Sequence, residues 1–278
     1  MEIAGAARWR PLIPFTGTSY IMLKIRHSLA ALAALSLLAS LPVQAAGAAV
    51  AETGTTVVLI HGAFADGSSW NKVIPLLRAR GLKVVAVQNP LTSLADDVAA
   101  AQRVIDAQTG KVVLVGHSWG GTVITQAGTS DKVKALVYVA ALVPSEGQNS
   151  GDLGKGYPPT DGIKTIKPDA AGFLYLPEDS VVANFAQDLP AAEARLIAAT
   201  QGPIQAKAFS EAVSVASWKT KPNYYIVAAK DRMIQPALQQ AFAKQINAVT
   251  TVLPTSHVPM LSQPKQVAAV IIKAAETP

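Results

Sequence analysis

The stretch Gly116-His117-Ser118-Trp119-Gly120-Gly121 permits very few folds around it. Before it stands Val112-Val113-Leu114-Val115, a short β-branched apolar run of the kind that forms a buried parallel strand. After it, Thr122-Val123-Ile124-Thr125-Gln126-Ala127 is apolar enough to open a helix. A strand that reverses into a helix within so few residues brings the two backbones almost into contact, so the positions flanking the apex must lack side chains. A serine at that apex reads as a nucleophile elbow. Its backbone is strained, its hydroxyl projects from the sheet edge, and the helix N-terminus points at the same spot, where it favours negative charge. The G-x-S-x-G string alone is weak; the strand before it and the helix after it give it meaning. The remainder of the chain must then supply an acid, a base and an oxyanion donor.

The chain after residue 53 alternates strands and helices. Thr56–Ile60 is a strand that runs into His61-Gly62-Ala63-Phe64. A helix follows, capped by Asp66 or Ser68, with Trp70, Val73, Ile74 and Leu77 as its apolar stripe and Gly81 as its stop. Val84–Val87 is the next strand, and Ser93 caps a helix from Leu94 to about Gln108 with Val98, Ala101 and Ile105 inward. The elbow strand and helix come next, then a buried strand over Val133–Ala141. Continuous apolar strands separated by amphipathic helices imply an α/β fold, its mostly parallel sheet flanked by helices on both faces. The pattern breaks at Pro144: Ser145 to about Pro168 is rich in Gly, Pro, Ser and Asp, and helices are expected near Asp179–Gln187, Pro190–Gln201 and Ala206–Ser217. Residues 145–218 thus read as an inserted helical lid, because the sheet pattern then resumes. Tyr224–Ala228 and Val249–Leu253 are strands, with helices at Gln235–Gln245 and Lys265–Ala275.

The first 45 residues read differently. Lys24 and Arg26 precede an apolar run from Leu29 to Leu41, and Val43-Gln44-Ala45 is a small-x-small cleavage site. Residues 22–45 are therefore expected to be a secretory signal, and the product to be periplasmic or secreted, with no membrane anchor left after cleavage. Met22 stands directly before the basic segment, so residues 1–21 are expected to be an upstream extension. Cleavage after Ala45 removes four basic residues and one acid, taking the net charge from +6 to +3. The remaining basic residues are scattered, which excludes a nucleic-acid surface. The 278 residues contain no cysteine, so thiol catalysis and disulfides are excluded.

The base for Ser118 is sought among four histidines: His27, His61, His117 and His257. His27 lies in the signal, His61 reads as a structural residue, and His117, inside the elbow, is expected to point away from the substrate side. His257 follows the last strand, where an α/β sheet places functional groups. Asp231 follows the penultimate strand and is the candidate acid, with Asp179 and Asp188 in the lid as alternatives, and a helix cap as its structural role. The order Ser118, Asp231, His257 is that of α/β hydrolases.

On these residues the chain over 54–276 resembles the α/β-hydrolase fold. The block from His61 to Trp70, the elbow, and Ser256-His257-Val258-Pro259-Met260-Leu261 together resemble bacterial serine esterases related to plant esterases and hydroxynitrile lyases. The resemblance implies an oxyanion hole made by the backbone N–H groups of Ala63 and Trp119, with Phe64 ranked behind Ala63. Phe64, Leu142, Trp218 and Met260 are candidates to line an apolar substrate pocket, as are Trp119, Phe173 and Tyr175; each could equally be core.

The expected activity is hydrolysis of a small or medium carboxylic ester through an acyl-enzyme, with no metal or organic cofactor. Two alternatives stand beside it. In the plant hydroxynitrile lyases a lysine follows the catalytic histidine and a threonine sits in the oxyanion loop; Val258 and Gly62 occupy those places here, which favours ester hydrolysis over C–C cleavage. A non-catalytic ligand-binding protein on the same fold is the other reading.

Overall fold

The computed structural model describes residues 54–277. The expected signal, the upstream extension and His27 lie outside them.

In chain order, β1 (Thr56–Ile60) leads through a 3-10 turn (Gly67–Trp70) to α1 (Ile74–Arg78) and β2 (Lys83–Val87). The single helix expected here is broken in two, because Pro75 at the start of α1 has no N–H to continue the preceding turn. Asp66 is the residue that caps, accepting from the Ser68 N–H at 2.6 Å. Next come α2 (Leu94–Asp106), β3 (Val112–His117), α3 (Gly120–Ala127) and β4 (Val133–Val139). Ser93 caps α2 as expected, accepting from the Asp96 N–H at 3.0 Å.

The connection from β4 to the next strand of the main sheet forms the insert. It holds β5 (Lys167–Pro168), β6 (Phe173–Tyr175), α4 (Glu178–Ser180) with a π-turn over Val181–Phe185, α5 (Ala191–Thr200) and β7 (Ile204–Gln205). Strands β5, β6 and β7 form a small antiparallel sheet that the sequence pattern did not announce. The helix expected over Ala206–Ser217 is only a 3-10 turn, Ala206–Ser210. Tertiary pairing overrides it: Val213 exchanges backbone hydrogen bonds with Gly147 and Gln148, at 2.9 and 3.0 Å, and Ser214 N–H donates to the Gln126 side chain at 2.8 Å.

The sheet pattern then resumes with β8 (Asn223–Ala228), α6 (Pro236–Gln245), β9 (Val249–Leu253), α7 (Pro259–Ser262) and α8 (Pro264–Glu276). The main sheet is six-stranded in the order β2-β1-β3-β4-β8-β9, and every pair is parallel. Central strands β1, β3 and β8 are buried along their whole length, whereas edges β2 and β9 are half exposed. Right-handed crossovers place helices by the direction the chain moves across the sheet. The step from β1 to β2 runs one way and puts α1 on one face, where it packs with α8. The steps through α2, α3 and α6 run the other way and put those helices on the opposite face. The direction reverses between β1 and β3. Their carboxyl ends therefore diverge and leave a crevice, the place where open α/β sheets bind ligands. Among the described residues no helix is long and apolar enough to cross a membrane.

Candidate active site

Two loops leave the sheet at that crevice: His61–Phe64 after β1, and Ser118 after β3. Ser118 sits at φ 51°, in the left-handed region that a residue with a Cβ avoids. The glycines explain how the turn closes. A Cβ on Gly120 would lie 2.6 Å from the carbonyl oxygen of Ile60, and one on Gly62 would lie 2.8 Å from the Ser118 Cβ. The two loops are thus packed backbone against backbone. Ser118 is half-buried, and its hydroxyl has no hydrogen-bond partner among the described residues, the His257 ring included. Such contacts are commonly loose until substrate binds.

His257 and Asp231 meet as a buried pair. The imidazole Nδ1 lies 2.7 Å from Asp231 Oδ2, and the side chains are 1% and 0% exposed. Asp231 accepts from every partner it has. Its Oδ1 takes the N–H groups of Met233 and Ile234, at 2.7 and 3.1 Å, and its Oδ2 takes the Gln239 amide at 2.7 Å as well as the His257 N–H. An ionised carboxylate has the lone pairs for all four. The bond to Nδ1 leaves Nε2 as the basic nitrogen of His257.

His117 connects this pair to the elbow. Its Nε2 donates to the His257 carbonyl at 2.8 Å, and the two rings are 4.8 Å apart between centroids. His117 is fully buried, and burial holds its pKa well below the usual imidazole value. A neutral ring beside His257 leaves no positive charge to oppose an imidazolium there. Phe185 of the insert packs edge-on to the His257 ring, with centroids 5.0 Å apart.

The loop after β1 is braced by His61. Its Nδ1 donates to the Gly62 carbonyl at 2.8 Å, and its Nε2 accepts from the Asn89 N–H at 2.9 Å, so it is neutral; burial also lowers its pKa. Both nitrogens are committed, which makes His61 structural. Phe64 sits at φ 59°, and its N–H donates to the Gly202 carbonyl at 3.1 Å. That amide is therefore occupied. Among the described residues neither the Ala63 nor the Trp119 N–H has a protein acceptor, although both residues are buried, at 3% and 0% exposed. Buried amides are nearly always paired, so two open ones in the loops that meet at the serine are donors available to a bound acceptor.

The expected lining residues separate. The Leu142 N–H donates to the Ser118 carbonyl at 3.1 Å, which places this half-buried side chain next to the elbow. Phe64 lies in the adjoining loop but is 4% exposed, and Met260, at 0%, is packed in the core. Trp218 is held by its indole and by its backbone. Its indole donates to the Pro144 carbonyl at 2.9 Å, and its own carbonyl is held by Asn223 at the start of β8. Of the other aromatics, Phe173 and Tyr175 lie on β6 in the small sheet, Tyr175 at 39% exposed.

Four further residues shape the site; Gln239, Asp97 and Gln187 were not singled out in the sequence, and Asp188 only as an alternative acid. Gln239 of α6 is fully buried; besides holding Asp231, its Oε1 accepts from the Ala228 N–H at 2.9 Å. Asp97 of α2 accepts from the Trp119 indole at 2.7 Å. Gln187 and Asp188 of the insert grip the residues just before the acid and the base: Gln187 donates to the Lys230 carbonyl at 2.7 Å, and Asp188 accepts from the Ser256 N–H at 2.8 Å. Asp188 is thus spent on the histidine loop, and Asp179 is exposed at α4, so neither replaces Asp231. The available signal was a polar residue on an apolar helix face: Asp97 shares the stripe of Ala101 and Ile105, and Gln239 that of Phe242 and Ala243. Among the described residues no group of three His, Asp or Glu side chains converges as a metal site.

Comparison with known proteins agrees with this architecture. A pyrethroid hydrolase of Sphingobium wenxiniae is 27% identical, over 81% of this chain and 89% of its own. Methylesterase 3 of Arabidopsis thaliana is 25% identical, over 79% and 95%. The crystal structure of polyneuridine aldehyde esterase superposes with a TM-score of 0.70 at 20% identity, covering 80% of this chain and 99% of that one, a likeness of fold. The model of the alpha/beta hydrolase family matches residues 57–270, and the chain belongs to that family.

Proposed function

We propose that this chain is a serine esterase that hydrolyses a small or medium carboxylic ester by way of an acyl-enzyme. The observation that carries the reading is the buried pair of His257 Nδ1 and Asp231 Oδ2, 2.7 Å apart, at the carboxyl edge that also bears the strained Ser118. Ser118 Oγ attacks the ester carbonyl carbon as its proton passes to His257 Nε2. Asp231 holds the tautomer and stabilises the imidazolium. The oxyanion is taken by the open N–H groups of Ala63 and Trp119, each such donor being typically worth about 3 kcal/mol. The imidazolium then protonates the departing alkoxide, and the alcohol leaves. Water, deprotonated by His257, attacks the acyl-serine and releases the carboxylic acid and free Ser118. The names of the relatives, a pyrethroid hydrolase and a methylesterase, support the ester class. Residues 145–218 act as the lid, and Leu142 lines the substrate side. Cyanohydrin cleavage is disfavoured because Val258, apolar and 1% exposed, follows the histidine.

The test is hydrolysis of p-nitrophenyl esters from acetate to decanoate by the protein and by Ser118→Ala. Serine-dependent turnover is expected, and the best chain length sizes the pocket. Equal rates in the variant would sink the assignment. The proposed export, to periplasm or medium, is tested by sequencing the mature N-terminus, expected at Ala46.

A further inference from the structure

We propose that Asp97 positions the oxyanion hole: its carboxylate clamps the indole of Trp119 and, through Leu91, the part of the insert that pins the Ala63 loop. The inference rests on the esterase reading above. Asp97 is fully buried on the inner face of α2. Its Oδ2 accepts from Trp119 Nε1–H at 2.7 Å, and its Oδ1 accepts from the Leu91 N–H at 2.7 Å. Trp119 is itself fully buried, with the Phe209 ring edge-on at 5.1 Å between centroids. The residue that offers an oxyanion amide is thereby tethered by its side chain to a helix outside the elbow.

The second contact reaches the other donor. Leu91 sits at φ 59°, a conformation that a branched side chain holds only when its surroundings enforce it. Its carbonyl accepts from the Gln205 N–H at 2.8 Å, and a few residues earlier Gly202 pairs with the oxyanion loop, accepting from Phe64 and donating to Ala65, at 3.1 and 3.3 Å. One carboxylate therefore braces both segments that present open amides to Ser118.

An apolar residue would fill this site without the penalty of a buried carboxylate. Only an ionised carboxylate, which lacks a hydrogen, accepts from both N–H groups without also needing an acceptor. Burial, with Asp96 on the same helix and Glu211 of the insert adding to it, pushes Asp97 up to about 6, so it is ionised at neutral pH. Glu211 is engaged with the Leu94 N–H at 2.8 Å, and Lys207 bears on Asp96.

Asp97→Asn is the discriminating change. Whichever way its amide sits, an N–H faces either the indole or Leu91. Trp119→Phe removes the indole N–H and keeps an aromatic ring. Steady-state hydrolysis of p-nitrophenyl esters is measured for the full chain, both single variants and the double variant, with the Trp119 indole N–H resonance recorded alongside. Each single change is expected to lower kcat about tenfold, with KM within about threefold, because the donor is misplaced only where the oxyanion forms. The double variant is expected to be no worse than the worse single, and Asp97→Asn to shift the indole resonance. A folded Asp97→Asn with kcat within about twofold of the parent, or single effects that multiply in the double, would overturn the proposal. If Asp97→Asn does not fold, an undiminished kcat in Trp119→Phe overturns it equally. Absence of serine-dependent turnover in the parent chain is a separate outcome: it defeats the esterase reading, and the role of Asp97 with it.

Discussion

Asp231→Asn is the sharpest probe of the site, because all four partners of this carboxylate are donors. The introduced amide carries one acceptor oxygen and one NH2 group, so two donors must lose. The N–H groups of Met233 and Ile234 belong to the backbone and cannot turn away, which keeps the oxygen on their side. The NH2 then faces Gln239 and His257. Gln239 cannot flip to accept, since its Oε1 already takes the Ala228 N–H and its Nε2 gives to the Ile234 carbonyl, at 2.9 and 2.8 Å. The imidazole is the group that yields: its proton moves to Nε2 and Nδ1 accepts from the new amide. A protonated Nε2 cannot take the Ser118 proton. In triads of this kind that loss of tautomer lowers kcat by roughly 10⁴, or about 5.5 kcal/mol of barrier. Stability is expected to change less, by about 1–3 kcal/mol, the effect of a lost charge-assisted hydrogen bond. The assay is p-nitrophenyl acetate hydrolysis at neutral pH, with thermal melting to verify folding. A folded variant within about tenfold of the parent kcat would refute the role given to Asp231.

Three further expectations concern the scaffold. Gln239→Leu leaves the buried Ala228 N–H unpaired and removes one donor from Asp231, so urea unfolding is expected to show a loss of about 2–4 kcal/mol, with kcat reduced as the acid loosens; unchanged stability would remove Gln239 from the account. Gly120→Ala places a Cβ 2.6 Å from the Ile60 oxygen and 2.9 Å from the His61 oxygen, both backbone, and is expected to destabilise by about 3 kcal/mol or more; a melting temperature near the parent's would show that α3 moves freely against β1. The Asp97 carboxyl, pushed up to about 6 from an ordinary 3.8, binds its proton more tightly in the folded chain than in the unfolded one. Its contribution to stability is therefore full below the unfolded value and is lost as pH rises through about 6, a change on the order of 3 kcal/mol. Urea midpoints across this range are expected to fall more steeply with rising pH in the parent than in Asp97→Asn, and parallel curves would contradict the shift.

The local pattern made much of this molecule legible. Strands β1 and β9 fall on the residues expected, and Ser93 caps α2, because these features depend on neighbours a few positions away. The pairing of Asp231 with His257 was expected because they follow β8 and β9, and Ser118 was singled out after β3, at ends where a parallel sheet must turn. The insert was less legible: Ala206–Ser217 carries helical spacing, yet Val213 pairs with residues more than sixty positions earlier, and no window of sequence contains that partner. The lining candidates divided for the same reason, since an apolar side chain in sequence does not say whether its residue ends beside the elbow, like Leu142, or against Pro144, like Trp218.

By itself, then, the sequence determined the alternation of elements, the strained turn and the order of Ser118, Asp231 and His257 along it, all set by steric and hydrophobic preferences along one stretch of chain. Tertiary structure alone decided which polar groups hold them: Gln239 under Asp231, Asp97 behind Trp119, Asp188 at the histidine loop and Gly202 against Phe64. Those bonds join residues from different strands and helices, and a buried donor takes its acceptor from whatever the packed fold brings within reach.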